Sequence, residues 1–280
     1  STGAAHIFIN TLKEFRETLC QATDAAVKAK EKQGTLKAIF ENIFDQGSKT
    51  IRKVYSVPDK KIGPTTTATI LVVRDGHGAL GHIGNTRAYL LRKGKVFRLT
   101  RDHTVAQREL DQKKISAEEF NNHPKKKTLF QAVGQSKSLK VDVSFFKVEL
   151  DDLFLLVSDG ISDTIRGDDL RRLQEIATDD QSLANSTLDL AITRDAIDDI
   201  SCISISIEEL EETILDRQAM DPEAEEDLID LDEEIVALAA AAAPPAPEPK
   251  PSPPVAAAPK PSPPVAAAPK PVQESEADLD

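Results

Sequence analysis

Thr65-Thr66-Thr67-Ala68-Thr69-Ile70-Leu71-Val72-Val73-Arg74, followed by Asp75-Gly76-His77-Gly78, is the stretch from which the fold is read. Residues 65–74 are rich in β-branched side chains, which favour an extended strand. Asp-Gly then supplies the backbone freedom that a tight hairpin turn needs. Residues 79–84 and 87–93 continue as strands, Lys93-Gly94-Lys95 marks a second hairpin turn, and Val96 to Leu99 pairs back. The run reads as an antiparallel meander rather than a βαβ repeat.

Working outward, the flanks change period. Residues 4–31 carry Ile7, Leu12, Phe15, Leu19 and Ala22 near helical spacing. Gly34 is expected to break that helix, and residues 36–55 form a second one through Leu36, Ile39, Phe40, Ile43 and Ile51. Gly63-Pro64 closes the region. Downstream, residues 103–133 are polar with short helical patterns, and Ser116-Ala117-Glu118-Glu119 has the spacing of a capping box. Strands return at 141–149 and 152–158, helices at about 168–178 and 180–194, and a last strand at 200–207. A β-sandwich with helices over its outer faces accommodates this order.

The character changes after Ile207. Residues 208–243 are dense in Asp and Glu, then in Ala, and read as an acidic, partly helical linker. Residues 244–280 are Pro/Ala/Lys-rich, with Pro251–Lys260 repeated residue for residue at 261–270. Such a tail buries no core and reads as a disordered, polyproline-like spacer, with a Pro-recognising partner as a further reading. The formal net charge of -12 argues against nucleic-acid binding. No apolar run has transmembrane length and the N-terminus lacks a signal-peptide layout, so a cytoplasmic protein with no membrane partner is expected. Cys20 and Cys202 lie far apart, one in a helical and one in a strand pattern, and read as buried reduced thiols. Lys125-Lys126-Lys127 reads as a solvated helix start.

Two acidic clusters carry the chemistry. Phe154-Leu155-Leu156-Val157 is an apolar run of the kind that makes a buried strand, and Ser158-Asp159-Gly160-Ile161-Ser162-Asp163 follows it directly. Asp198-Asp199 leads into the alternating run from Ile200 to Ile207 in the same way. Asp-Gly after a strand is commonly only a turn. Two such strand-end clusters, with few histidines and cysteines elsewhere, suit a hard cation bound through oxygen.

The order of motifs resembles the metal-dependent PP2C-type (PPM) protein phosphatases. Gly63-Pro64-Thr65-Thr66-Thr67-Ala68, Gly81-His82-Ile83-Gly84-Asn85-Thr86-Arg87-Ala88-Tyr89, Leu99-Thr100-Arg101-Asp102-His103-Thr104, His123-Pro124 through Leu129, Val133 and Gly134, Ser158–Asp163, and Asp198-Asp199-Ile200-Ser201 are similar to successive blocks of that family. The resemblance spans roughly residues 1–207. It implies an α+β fold: two antiparallel sheets in a sandwich with helices on each side. It also implies hydrolysis of phosphoserine and phosphothreonine in phosphorylated proteins, using two Mn²⁺ or Mg²⁺ ions that activate a water. Carried across by position, Asp159 and Asp198 correspond to metal ligands, and Asp163 to a ligand of an additional, weaker metal. Gly160 is then a turn residue. Asn85 stands where the family usually has an aspartate for that additional site, and a neutral amide is a poorer cation ligand. Arg87 and Asp102 read as structural partners, His103 as a residue at a helix start, and His77 as a hairpin residue without a role.

The resemblance has two gaps. An Arg-x-x-Asn-Glu-Asp segment and an Asp-Gly-x-Gly-Gly segment, which in the family give the phosphate-binding arginine and the bridging aspartate, do not occur here. Asp75-Gly76-His77-Gly78 comes after the threonine strand and is out of order for that role. The chain begins at Ser1. It is therefore expected to be either a fragment of a whole phosphatase, lacking the family's N-terminal motifs, or a catalytically incomplete relative that acts as an interaction module.

Overall fold

In the computed structural model the described residues are 2–26, 30–56, 63–74, 76–135 and 138–210. In chain order the elements are α1 (Thr2–Glu14), α2 (Arg16–Ala26), α3 (Lys30–Val54), β1 (Ala68–Arg74), β2 (His77–Ile83), β3 (Arg87–Arg92), β4 (Lys95–Arg98), α4 (Val105–Asp111), α5 (Ala117–Asn121), β5 (Asp142–Lys147), β6 (Leu153–Val157), α6 (Asp159–Ser162), α7 (Gly167–Ile176), α8 (Asp180–Thr193) and β7 (Cys202–Ser206). The strands form two sheets, in the orders β1-β2-β5 and β4-β3-β6-β7, and every pairing is antiparallel. The acidic segment from residue 211 onward and the Pro/Ala/Lys tail, with its expected partner, lie outside the described residues.

Side-chain alternation sorts the core into layers. On β3, Ala88 and Leu90 face the space between the sheets, while Tyr89 and Leu91 face the outer helices. β6 is apolar on both faces because both are covered: Phe154 and Leu156 point between the sheets, and Leu153, Leu155 and Val157 point outward. Leu80, Phe97, Phe146, Val148 and Ile207 complete the middle layer. Ala4 and Phe8 of α1, Leu19 of α2, and Phe40, Ile43 and Phe44 of α3 cover Ile70, Ala79 and Ile83 of the first sheet. Leu170 and Leu173 of α7 and Leu183 and Ala191 of α8 cover the second. Each fully buried Leu, Ile, Val or Phe among these contributes about 1.5–3 kcal/mol. The result is the α-β-β-α sandwich.

Four readings change. The expected 4–31 helix is two helices, with a turn at Phe15 between them. Gly34 does not end it but lies inside α3. A mid-helix glycine costs about 1 kcal/mol, and the burial of Leu36, Phe40, Ile43, Phe44 and Ile51 further along the helix outweighs that. β2 and β3 do not pair, so the strands are not one meander. The Gly84-Asn85-Thr86 link carries the chain from one sheet to the other. Gly84 makes the crossing at φ +120°, where a Cβ would stand 2.3 Å from the Thr67 side chain. Cys20 is exposed and free, and Cys202 is half-buried and free, its thiol pushed up to about 11 by burial. The capping box at Ser116 and Glu119 forms as read. Among the described residues no helix is long and apolar enough to cross a membrane.

β7 has a strand neighbour on one side only among the described residues. Ile203 and Ile205 lie opposite Leu156 and Phe154 and so share the face that looks between the sheets. They are nevertheless 59% and 37% exposed, since the facing sheet has one strand fewer to cover them.

His82 on β2 is buried, pairs through Nδ1 with the Thr69 hydroxyl and through Nε2 with the Gly84 carbonyl, and has the His103 ring 5.0 Å away. Burial first, and the His103 charge second, push its pKa down to about 4. The unfolded chain takes up that proton near pH 6.5, whereas the folded chain waits until about 4. Stability is therefore expected to fall by about 1.4 kcal/mol per pH unit between these values as pH drops, from this group alone. Thermal unfolding of the chain and of His82→Gln across pH 7 to 4 checks this: the difference between the two should narrow as pH falls, and a constant difference would refute it.

Candidate functional site

The acidic clusters meet where β6 ends and β7 begins. β6 runs into Ser158, whose side chain does not cap α6 but ties the next cluster down. The Ser158 hydroxyl donates to the Asp199 carbonyl at 3.0 Å and accepts from the Ser201 amide at 3.0 Å, and the Ser158 amide donates to the Ser201 carbonyl at 3.0 Å. Gly160 lies inside α6, so it is not a turn residue. A Cβ there would stand 2.6 Å from the Asp199 carbonyl oxygen and 3.0 Å from that of Asp198. Glycine is required by close backbone approach, and this contact brings residues 159–163 and 198–199 together.

The three aspartates singled out above are held differently. Asp159, at the first position of α6, accepts a 2.9 Å hydrogen bond at Oδ2 from the Asn85 amide, on the link between the two sheets. Asp163, just past α6, has Lys127 Nζ 2.7 Å from Oδ2 and Lys126 Nζ 3.8 Å from Oδ1. Asp198 Oδ2 lies 3.7 Å from Lys127 Nζ. The hydrogen bond to Asp163, and then the charges of Asp163, Asp159 and Asp198, hold the Lys127 ammonium above its usual pKa. Asp163 and Asp198 thus share one ammonium, and the Asp159 charge acts on it without a direct ion pair. Among the described residues, no three carboxylate, histidine or cysteine side chains are grouped closely enough to hold a metal ion as they stand.

Lys127 was not among the expected site residues. Lys125–Lys127 forms turns, not a helix start. The Thr128 carbonyl accepts from Val105 and Leu129 bridges Thr104, which anchors the run beside the strand-end cluster. The available signal was a compact basic run in a chain whose acidic clusters call for a counter-charge.

A second, largely buried layer supports the site. Arg87 Nε and Nη2 donate to both oxygens of Asp102 at 3.1 and 2.7 Å, and Arg98 donates to Asp102 as well. Arg87 Nη1 reaches the Ser162 carbonyl in α6 at 3.4 Å. Burial alone would push the Asp102 carboxyl up, but the Arg98 and Arg87 charges overcome this and hold it at about 2. Arg87 and Asp102 are structural partners, as read. His103 precedes α4; it accepts from the Gly84 amide through Nδ1 at 3.2 Å and donates from Nε2 to Asp142 at 2.9 Å, so both ring nitrogens are committed within the fold.

The protein phosphatase 2C family model matches residues 3–111. PhpP, a protein phosphatase of Streptococcus pneumoniae, is 31% identical over 150 residues, covering 52% of this chain and 60% of that protein. The chain thus spans about 60% of the length of the first curated relatives it matches. The crystal structure of the Mycobacterium tuberculosis serine/threonine phosphatase PstP/Ppp superposes with a TM-score of 0.58 at 26% identity, covering 69% of this chain and 83% of that one. A PstP catalytic domain in complex with two manganese ions superposes with a TM-score of 0.60 at 22% identity, covering 75% and 82%.

Proposed function

We propose that this chain, whose residues 3–111 match the protein phosphatase 2C family model, serves metal-dependent hydrolysis of phosphoserine and phosphothreonine in phosphorylated proteins, releasing inorganic phosphate and the free hydroxyl. Asp159 and Asp198 are the ion ligands and Asp163 serves a weaker additional ion. The phosphatase domain covers residues 1–207, with 208–243 as linker and 244–280 as tail. The observation that carries the reading is the convergence of two separately placed acidic clusters on one cationic position, enforced by Gly160 and by the Ser158 clamp.

Carboxylates around a position already filled by an ammonium suit a hard cation. One or two carboxylates with water in the remaining places are what Mg²⁺, and by its oxygen preference Mn²⁺, accept. By chemistry Asp159 and Asp198 would supply the two carboxylates of one such ion. A dinuclear pair needs further acids to offset the repulsion between two dications. When bound, the ion supplies a water of lowered pKa and neutralises charge on the phosphoryl oxygens. The chain's own part is positional. Ser158 fixes the Asp198-Asp199 backbone, Asn85 orients the Asp159 carboxylate, and Arg87 steadies α6 through the Ser162 carbonyl.

The second reading is an interaction module without turnover, favoured by the lack of a ready-made three-ligand group among the described residues. Hydrolysis of a small phosphate ester with Mn²⁺ and with chelator, beside Asp159→Asn, separates the two. Turnover that needs Mn²⁺ and drops at least a hundredfold in Asp159→Asn is expected, in line with the several kcal/mol a metal centre supplies. Equal rates in both proteins would leave only the module.

A further inference from the structure

Lys127 differs from the buried arginines of the fold in how it is held. Arg87 and Arg92 make paired hydrogen bonds to Asp102 and Asp152 deep in the fold. Such bidentate contacts fix both partners. The Lys127 side chain is 54% exposed and touches Asp163 and Asp198 with a single ammonium. Lysine carries a compact charge on a flexible stem, and a half-exposed one returns to water at little expense. It is a counter-ion that can leave.

Asp163 cannot serve an ammonium at 2.7 Å and a divalent ion at metal–oxygen distance through the same oxygen, and the ammonium 3.7 Å from Asp198 repels an ion brought to that carboxylate. Resting on the reading that these aspartates are ion ligands, we propose that Lys127 is a resident competitor for the divalent ion. It occupies the cation position when no ion is bound, keeps the acidic cluster assembled, and swings out to solvent when the ion enters. Lys126, 3.8 Å from the other Asp163 oxygen, stays as the fixed part of the counter-charge. Two consequences follow from charge alone. The cluster is stable without metal, and the site's affinity for divalent ions is lower than its carboxylates would otherwise give.

The test uses the full chain and Mn²⁺, with free Mn²⁺ followed by electron paramagnetic resonance. The proteins are the parent, Lys127→Ala, Lys127→Arg and Asp198→Asn. Lys127→Ala is expected to bind Mn²⁺ about tenfold more tightly, and Lys127→Arg no more tightly than the parent. In chelator, Lys127→Ala should unfold at a lower temperature than the parent, and saturating Mn²⁺ should close that gap. If the parent binds Mn²⁺ and Asp198→Asn does not, while Lys127→Ala binds no better than the parent, the competitor role is refuted and the ligand assignment stands. If no variant binds Mn²⁺, both fall.

Discussion

Asp102→Asn is expected to destabilise the chain by about 3–5 kcal/mol, the usual result of removing one member of a buried ion cluster. Asp102 is the single carboxylate between two guanidinium groups, those of Arg87 and Arg98, and all three side chains are largely withdrawn from water. The amide keeps the shape but removes the charge. Two buried cations then face each other without the carboxylate between them, on strands β3 and β4 that pair directly. Urea unfolding at pH 7 measures the effect. A drop in midpoint with an unchanged m-value is the expected signature, and a loss under 1 kcal/mol would mean that water or another group already serves these arginines. The pH dependence has a definite sign. The Asp102 carboxyl titrates at about 2 in the fold against 3.8 ordinarily, so its contribution is complete above 3.8 and is lost as pH falls through about 2. Asp102→Asn should therefore matter least in strong acid.

Gly160→Ala is expected to cost about 2–3 kcal/mol and to weaken Mn²⁺ binding together with stability. Overpacking against well-placed atoms typically costs 1–3 kcal/mol, with rigid neighbours at the upper end. Here the neighbours are the backbone carbonyls of Asp199 and Asp198, at 2.6 and 3.0 Å from the added methyl group, and backbone cannot rotate away. The segment before β7 must shift outward, taking Asp198 from Asp159 and stretching the Ser158 clamp. Gly167→Ala provides the internal control, because nothing lies within 4 Å of the corresponding position at the start of α7. That change should be close to neutral in both measurements. Equal behaviour of the two variants would show that residues 159–163 and 198–199 are not closely packed in solution.

Strands and their turns were legible because local chemistry decides them. β-branched runs, Asp-Gly and Lys-Gly turns, and the capping box at Ser116 each act within a few residues. The uniformly apolar β6 was legible because a strand covered on both faces has no polar side to show. Sheet membership was not, since alternation says which face a side chain takes and nothing about which strand lies alongside. That is why β2 and β3 read as neighbours while Gly84 leads the chain across to the other sheet. Gly34 misled because propensity is a small term beside the burial of Phe40 and Phe44. At the site, Asp159 and Asp198 were singled out by their places at strand ends, one after β6 and one before β7, and Asp163 by the family resemblance. Lys127 was missed because its role depends on chain segments some 35 and 70 residues away, at Asp163 and Asp198, and a basic run looks the same in sequence whether it is solvated or seated among acids.

The outer side of β7, which has no strand neighbour among the described residues, bears on how this protein behaves in concentrated solution. Its outer backbone groups meet no other strand among the described residues, the Ser206 amide being held by Asp180 at 2.8 Å, and with Ile203 and Ile205 exposed beside it the edge is a template on which another copy can align. The net charge of -12 opposes such encounters by mutual repulsion. That repulsion reaches only about 8 Å at physiological salt and less above it. Colloidal behaviour is thus a contest between a long-range charge that salt weakens and a short-range sticky edge that salt leaves intact, and dilute buffers of low ionic strength are the conditions that keep copies apart.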